Sequence, residues 1–317
     1  MKIIVPEFVL PQLREETCNL VQECNFVILN DEGEPSGDLA GAEVLMLPWR
    51  LPADVRERIL SLSSLKWIHS VSAGVEHALD EQLRQMDVIL TNASGVFDLP
   101  IAETVVAYIL MIVKQMPTFL RQQQAHVWKK RSLREAAGLT VGLIGLGSIG
   151  TEIARLCQGL EMRVLATRRH PEAGAPHIDT LYPTEELHRL LEASDFAVIA
   201  VPLTEETRGM IGAEALRRMG QEAWLINIAR GAVVDEEALI EALQEGRIAG
   251  AALDVFVEEP LPEDSPLWEL ENVIITPHNS WSTPHLKERE AALFLENLRH
   301  YLRDEPLRNV VNKELGY

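Results

Sequence analysis

Cysteine is scarce in this chain. Cys18, Cys24 and Cys157 are an odd number with no CxxC spacing, the pattern of buried free thiols in a reducing compartment, not of a disulfide framework or a zinc site. None of the nine histidines falls in an HxxxH or HExxH spacing, so no metal is expected, and no GxSxG or cysteine-centred motif offers a nucleophile. Basic residues are also few: 29 Lys and Arg face 48 Asp and Glu, a formal charge of −19. Nucleic acid and anionic membranes need a basic face, so neither is expected as a partner, and an anionic substrate has to be held by local arginine or lysine. The longest apolar run, around Val105 to Val113, is too short to span a bilayer. Met1 to Pro6 reaches polar and acidic residues too early for a signal peptide. These absences lead to the expectation of a cytoplasmic protein.

What is present suits globular folding. The 317 residues are 47% hydrophobic and 24% charged, enough to bury two ordinary cores with a cleft between them. Short β-rich runs at Ile3–Val5, Phe26–Leu29, Val44–Leu47, Trp67–Val71 and Val88–Thr91 alternate with helix-like segments such as Pro52–Leu62 and Val75–Leu83, which predicts a parallel α/β sheet. At Asp98-Leu99-Pro100 a capping residue and a first-turn proline open a long apolar-periodic stretch toward Phe119, read as a helix linking two domains. A second series follows, with strands expected at Val141–Ile144, Arg163–Ala166, Phe196–Val201, Trp224–Ile228, Ala251–Val255 and Val273–Thr276. Six such strands match a doubly wound nucleotide-binding sheet. A last helix is expected over Pro284–Leu302, then an irregular tail.

The hexapeptide Gly145-Leu146-Gly147-Ser148-Ile149-Gly150 has the spacing GxGxxG. By itself that is weak; here it leaves a buried strand and opens a helix, as a dinucleotide fingerprint must. The first glycine permits the turn, the second the approach of a pyrophosphate, and the third close packing of helix on strand, while the helix N-terminus faces the phosphate charge. Roughly 20 residues further on, an NAD site places a carboxylate for the ribose 2′-hydroxyl. This chain has Thr167-Arg168-Arg169-His170 instead. Two guanidinium groups suit a 2′-phosphate, which favours NADP(H), with NAD(H) as the alternative and solvated loop charges as the plain reading of either arginine.

Three phrases close later strands: Ile226-Asn227-Ile228-Ala229-Arg230-Gly231, Asp254-Val255-Phe256-Val257-Glu258-Glu259-Pro260 and Thr276-Pro277-His278-Asn279. In a doubly wound sheet the carboxyl ends of strands line the ligand crevice. Arg, Glu and His at one edge form a reductase set: Arg for a carboxylate, His to exchange a proton with a carbonyl oxygen, Glu to keep that His charged and oriented.

With these phrases, and with Ser72-Ala73-Gly74-Val75, Ala102-Glu103, Val201-Pro202-Leu203-Thr204, Glu206-Thr207-Arg208 and the Pro306–Val311 tail, the whole chain resembles the D-isomer-specific 2-hydroxyacid dehydrogenases. That family includes glyoxylate/hydroxypyruvate reductases and phosphoglycerate dehydrogenases. The resemblance implies a Rossmann-type domain, 100–283, inserted in a smaller flavodoxin-like substrate domain, 1–99 completed by 284–317, and a homodimer. It implies Arg230, Glu259 and His278 as catalytic residues, Glu259 hydrogen-bonding His278. It assigns the cofactor to the glycine loop, Thr167, Arg168, Arg169, Val201, Pro202, Thr207, Ile228, Ala229 and Asp254, with Asp254 at the nicotinamide carboxamide. Substrate is assigned to the Ala73 and Gly74 amides with Arg230 and His278. The chain departs from the family at Trp281, three residues after the histidine, where small residues are common; Trp281 and Trp49 are therefore candidates for contact with the substrate side chain. Ending at Tyr317 without a regulatory domain, the chain fits a glyoxylate or hydroxypyruvate reductase better than a long phosphoglycerate dehydrogenase. A nucleotide-sensing corepressor-like scaffold is the alternative from another class.

Overall fold

The computed structural model describes residues 1–75 and 78–316. It divides into two compact units, Met1–Phe97 with Thr283–Tyr317, and Asp98–Ser282.

The first unit contains β1 (Lys2–Pro6), α1 (Leu10–Glu15), α2 (Asn19–Gln22), β2 (Asn25–Leu29), β3 (Ala42–Leu47), α3 (Ala53–Leu60), β4 (Trp67–Ser70), α4 (Glu81–Gln85) and β5 (Ile89–Thr91). The chain re-enters this unit late, as α11 (Leu286–Leu302). Its strands pair in parallel in the order β2-β1-β3-β4-β5, the flavodoxin-like order. Successive side chains of a strand face opposite sides. Ile3, Val5, Val44, Met46 and Trp67 accordingly meet Ala291, Phe294 and Leu298 of α11, whereas Ile4, Leu45 and Ile68 meet Val55 and Ile59 of α3 and Leu83 of α4. Both faces are covered, which is why β1 and β3 read as the apolar runs Ile3–Val5 and Val44–Leu47. Of the helix expected over 75–83, Glu76 and His77 lie outside the described residues, and the helical part is α4, which Asp80 opens by accepting the Leu83 N–H at 2.9 Å.

The second unit opens with α5 (Asp98–Val113) and α6 (Met116–Gln124). A single helix running to Phe119 is thus corrected to two, bent by 65°. Pro117 explains the break: lacking an N–H, it cannot bond the Val113 carbonyl four residues back. That carbonyl instead accepts from the Arg134 amide at 3.1 Å, and Gln115 turns through the left-handed region at φ 49. Among the described residues no single helix is long and apolar enough to cross a membrane.

There follow β6 (Thr140–Ile144), α7 (Ser148–Gly159), β7 (Arg163–Thr167), β8 (Thr180–Tyr182), α8 (Leu187–Ala193), β9 (Phe196–Ile199), α9 (Ala213–Arg218), β10 (Trp224–Asn227), α10 (Glu236–Gln244), β11 (Gly250–Leu253) and β12 (Val273–Ile275). The sheet order is β12-β11-β10-β9-β6-β7-β8. Seven strands replace the expected six: β8 is a three-residue, half-buried edge strand paired only with β7. The order reverses at β6, between β9 and β7, so the ligand crevice belongs beyond the carboxyl ends of these strands. Val201, Ile228, Val255 and Thr276, expected as strand residues, lie just past those ends, in the loops that carry the candidate site. Cys157 is buried on α7, its thiol pushed up to about 12 by burial, while Cys18 and Cys24 are half-buried rather than buried; none of the three forms a disulfide among the described residues.

Candidate active site

Beyond β6 the chain turns at Gly145, whose φ is +97. A Cβ there would lie 2.7 Å from the Ala200 carbonyl oxygen and from Val201, and one on Gly150 would lie 2.7 Å from the Gly145 carbonyl. These two glycines are required by the protein's own packing. Gly147 differs, because a Cβ added to it meets nothing within 4 Å. It is the N-cap of α7 and supplies no side-chain cap, so the amides of the first turn keep their capacity to receive an anion. An open cradle over an uncapped helix N-terminus fits a dinucleotide pyrophosphate. Thr167, buried at the end of β7, accepts the Gly145 N–H at 3.2 Å, and Ser148 donates to Asp98 at 3.1 Å.

The two arginines after β7 are not equivalent. Arg169 pairs with Glu206 at 2.7 Å in an exposed ion pair, whereas Arg168 is exposed and makes no ion pair among the described residues. Glu206 belongs to the loop expected on the cofactor side. There the Thr207 hydroxyl donates to the Pro202 carbonyl at 2.7 Å and accepts the Thr204 N–H at 2.8 Å, closing a compact turn after Val201.

Beyond β10, Asn227 organises the turn that presents Arg230. Its side chain accepts the Ala229 N–H and donates to the Arg230 carbonyl, both at 3.0 Å. The next residue must be glycine, since a Cβ on Gly231 would fall 1.9 Å from the Phe256 carbonyl carbon. This packs the Arg230 turn directly on the segment that carries Glu259. One Glu259 oxygen accepts the Phe256 N–H at 2.9 Å; the other meets His278 Nδ1 at 2.7 Å. With Nδ1 so engaged, Nε2 is the nitrogen left for proton exchange.

His278 has a left-handed backbone, φ 49, an uncommon conformation for a residue with a Cβ. Asp254 holds it there. The Asp254 carbonyl accepts the His278 N–H at 2.8 Å. The Asp254 carboxylate, fully buried, accepts from the Thr276 hydroxyl at 2.5 Å, the Asn279 N–H at 2.9 Å and the Ser280 N–H at 3.0 Å. Ile228 and Ala229 have buried side chains, leaving the backbone as their means of meeting a ligand.

In the first unit, Ala73 and Gly74 sit in the loop after β4. Asn92 donates to the Ala73 carbonyl at 2.8 Å, and the Ser72 hydroxyl, itself bonded to Ser70, donates to the Gly74 carbonyl at 2.6 Å. Trp49, half exposed beyond β3, packs edge-on to Phe97 with ring centroids 6.4 Å apart. The Glu290 carboxyl, 2% exposed on α11, hydrogen-bonds the Trp49 side chain; burial pushes it up to about 7 against that bond and the Lys287 charge. Its Oε1 finds no partner among the described residues. His69 is a buried core histidine that meets Thr91 at 2.8 Å, and burial pushes it down to about 3.

The structure thus brings Glu259 and His278 into contact, sets Asp254 under the His278 loop and joins the Arg230 turn to the Glu259 segment. Sequence reasoning assigned no role to Asn92, Asn227, Thr276, Tyr108 or Glu290. Only a polar residue inside an otherwise apolar helical pattern, as at Tyr108 and Glu290, could have pointed to any of them.

Residues 106–280 match the model of the NAD binding domain of D-isomer specific 2-hydroxyacid dehydrogenases. A glyoxylate reductase of Korarchaeum cryptofilum is 33% identical over 97% of this chain and 96% of its own length. A D-3-phosphoglycerate dehydrogenase of Archaeoglobus fulgidus is 34% identical over 81% of the chain, which spans 49% of that protein. Among solved structures, a D-isomer specific 2-hydroxyacid dehydrogenase of Xanthobacter autotrophicus in complex with NADPH and MES superposes with a TM-score of 0.87 at 31% identity, covering 99% of each chain. An NADPH-dependent glyoxylate/hydroxypyruvate reductase of Sinorhizobium meliloti, in complex with NADP and sulfate, gives 0.84 at 28% identity, covering 100% of this chain and 99% of its own. With its parallel sheets, its glycine loop and its Arg, Glu and His at strand ends, the chain belongs to the D-isomer specific 2-hydroxyacid dehydrogenase family and is an NAD(P)-dependent oxidoreductase.

Proposed function

We propose that this protein is a cytoplasmic NADPH-dependent reductase of a small 2-keto acid, with glyoxylate or hydroxypyruvate as the leading substrate and the D-2-hydroxy acid as product. The observation that carries the reading is the Glu259–His278 contact of 2.7 Å, anchored through the Phe256 N–H. It aims a proton donor while leaving Nε2 toward the reactant. The bound cofactor supplies the hydride, which adds to the carbonyl carbon. As the hydride's electron pair forms C–H, the C=O π pair moves onto oxygen and takes the His278 proton to form O–H; in oxidation His278 takes that proton back. Arg230 binds the substrate carboxylate and polarises the carbonyl; the Ala73 and Gly74 amides are the further carboxylate donors. Trp49 and Trp281 are assigned to the substrate side chain, and Asp254 to the nicotinamide carboxamide.

The preference for NADP(H) rests on Arg168 and Arg169 where an NAD site places a carboxylate. It is supported by the NADP-containing relatives. NAD-dependent use of a phosphoglycerate-type substrate is the second reading, favoured by the phosphoglycerate dehydrogenase relative. A homodimer through α6 and the following segment is supported by Leu120, Val127 and Trp128, which are 55%, 49% and 96% exposed, since apolar patches of this kind mark interfaces. Lys129, Lys130 and Arg131 there complement the acidity of a second copy.

His278→Ala should lower kcat by roughly 10²- to 10⁴-fold, the usual worth of general acid catalysis, while R230A should mainly raise KM for the keto acid. Near-normal turnover in H278A would sink the assignment.

A further inference from the structure

We propose that Tyr108 and Trp281 are positioning residues for His278, clamping the 276–281 loop from two directions so that the imidazole is presented ready for proton transfer. The inference rests on His278 as the proton donor of the reaction proposed above. On one side stands Tyr108, 2% exposed on α5. Its hydroxyl meets the Thr276 hydroxyl, and Thr276 in turn donates to Asp254 at 2.5 Å. A threonine has a single hydroxyl proton; with that proton on the Asp254 carboxylate, Tyr108 has to be the donor to Thr276. Burial, more than Asp254 nearby, raises the phenol to about 12, so the donor keeps its proton across the working range. Thr104, one turn earlier on α5, donates its hydroxyl proton to the Pro100 carbonyl at 3.0 Å and lies 3.4 Å from the Ser280 carbonyl, so the helix reaches both ends of the loop.

On the other side the Trp281 indole N–H donates to the His278 carbonyl at 2.8 Å. Both backbone groups of His278 are therefore held, the N–H by Asp254 and the carbonyl by Trp281. A left-handed backbone persists at a non-glycine residue only where its surroundings over-determine it, and these bonds supply that constraint. The side-chain contact with Glu259 fixes the ring but leaves the backbone to the clamp. Trp281 does more here than wall a pocket: its ring nitrogen is committed to the catalytic loop.

The test compares Y108F, W281F and T276S in the full-length enzyme, each also combined with H278A, using NADPH and the best keto-acid substrate. Removing one neutral hydrogen bond from the clamp should lower kcat roughly 3- to 10-fold; KM for NADPH and for the keto acid should change less than about 2-fold in Y108F, whose side chain is assigned to neither, and KM for NADPH should change as little in W281F, whose ring is also assigned to the substrate side chain. T276S keeps the hydroxyl and should retain near wild-type kcat. In the H278A background Y108F and W281F should cause no further loss, since residues acting through one group are not additive. Wild-type kcat in both single variants, or a loss of unchanged size in the H278A background, would overturn the proposal; in the latter case the role is structural. If Y108F does not fold, W281F decides alone, as its substitution is on the loop itself. Failure of the underlying reading shows separately, as turnover surviving in H278A.

Discussion

Replacing Glu290 by glutamine removes a buried charge while keeping an acceptor oxygen for the Trp49 side chain. Burial lifts this carboxyl from 4.5 to about 7, a shift worth about 3 kcal/mol between its two protonation states. A folded-state pKa raised above the unfolded one gives stability that is fully present below about 4.5 and is lost as pH rises through about 7. E290Q should therefore be close to the wild type near pH 4.5 and more stable by about 3 kcal/mol at pH 8. His69 has the opposite slope. Its imidazole is pushed from 6.5 to about 3, so as pH falls below 6.5 the unfolded chain takes up a proton that the folded chain refuses, at about 1.4 kcal/mol per pH unit. In the wild type these slopes oppose each other between about 4.5 and 6.5. E290Q exposes the histidine slope, and stability then rises with pH across that window; H69Q exposes the carboxyl slope, and stability falls. Urea unfolding of the three proteins from about pH 5 to pH 8 measures all of this. A stability difference between E290Q and wild type that does not change with pH, or a variant less stable at pH 8, would refute the burial argument.

Three further outcomes follow from the cofactor and catalytic loops. R168A should reduce kcat/KM for NADPH on the order of 10- to 100-fold, the loss of a charge-assisted hydrogen bond, and change that for NADH little, whereas R169A should cost less because Glu206 already occupies that guanidinium; cofactor titration of both variants separates them. Gly147→Ala adds a methyl group that meets no protein atom within 4 Å, so its melting temperature should stay near wild type while NADPH affinity falls on the order of tenfold. G150A, by contrast, drives a Cβ to 2.7 Å from the Gly145 carbonyl oxygen and should lose about 1–3 kcal/mol of stability by overpacking. E259Q should lower kcat at least about tenfold, because the carboxylate that meets both the Phe256 N–H and His278 Nδ1 is what aims the ring; steady-state rates at saturating keto acid give the answer.

How much of this was legible in the sequence depended on whether the cause was local. β1, β3 and β6 could be read because both faces of their inner residues are buried, so the runs Ile3–Val5, Val44–Leu47 and Val141–Ile144 hold no polar side chain. β8 could not: three half-buried residues at a sheet edge carry neither an apolar run nor a clear alternation. The bend after α5 had its signal in Pro117, but the apolar periodicity on either side obscured it. For the site, the order of Arg230, Glu259 and His278 pointed to the contact at 2.7 Å, since each follows a strand and strand ends share one edge. The reason for Gly231, a neighbouring backbone at 1.9 Å from its missing Cβ, and the bond from Tyr108 to Thr276, 168 residues away, are products of tertiary packing. No local pattern encodes them.

The central claim is that this fold reduces a small 2-keto acid with NADPH. It is tested most directly by the initial rate of the purified protein with NADPH and with NADH, each against glyoxylate, hydroxypyruvate and 3-phosphohydroxypyruvate. NADPH with glyoxylate or hydroxypyruvate should give the highest kcat/KM, exceeding NADH by about tenfold or more as a 2′-phosphate contact requires. A preference for NADH, highest activity on the phosphorylated acid, or no oxidation of either cofactor would contradict it.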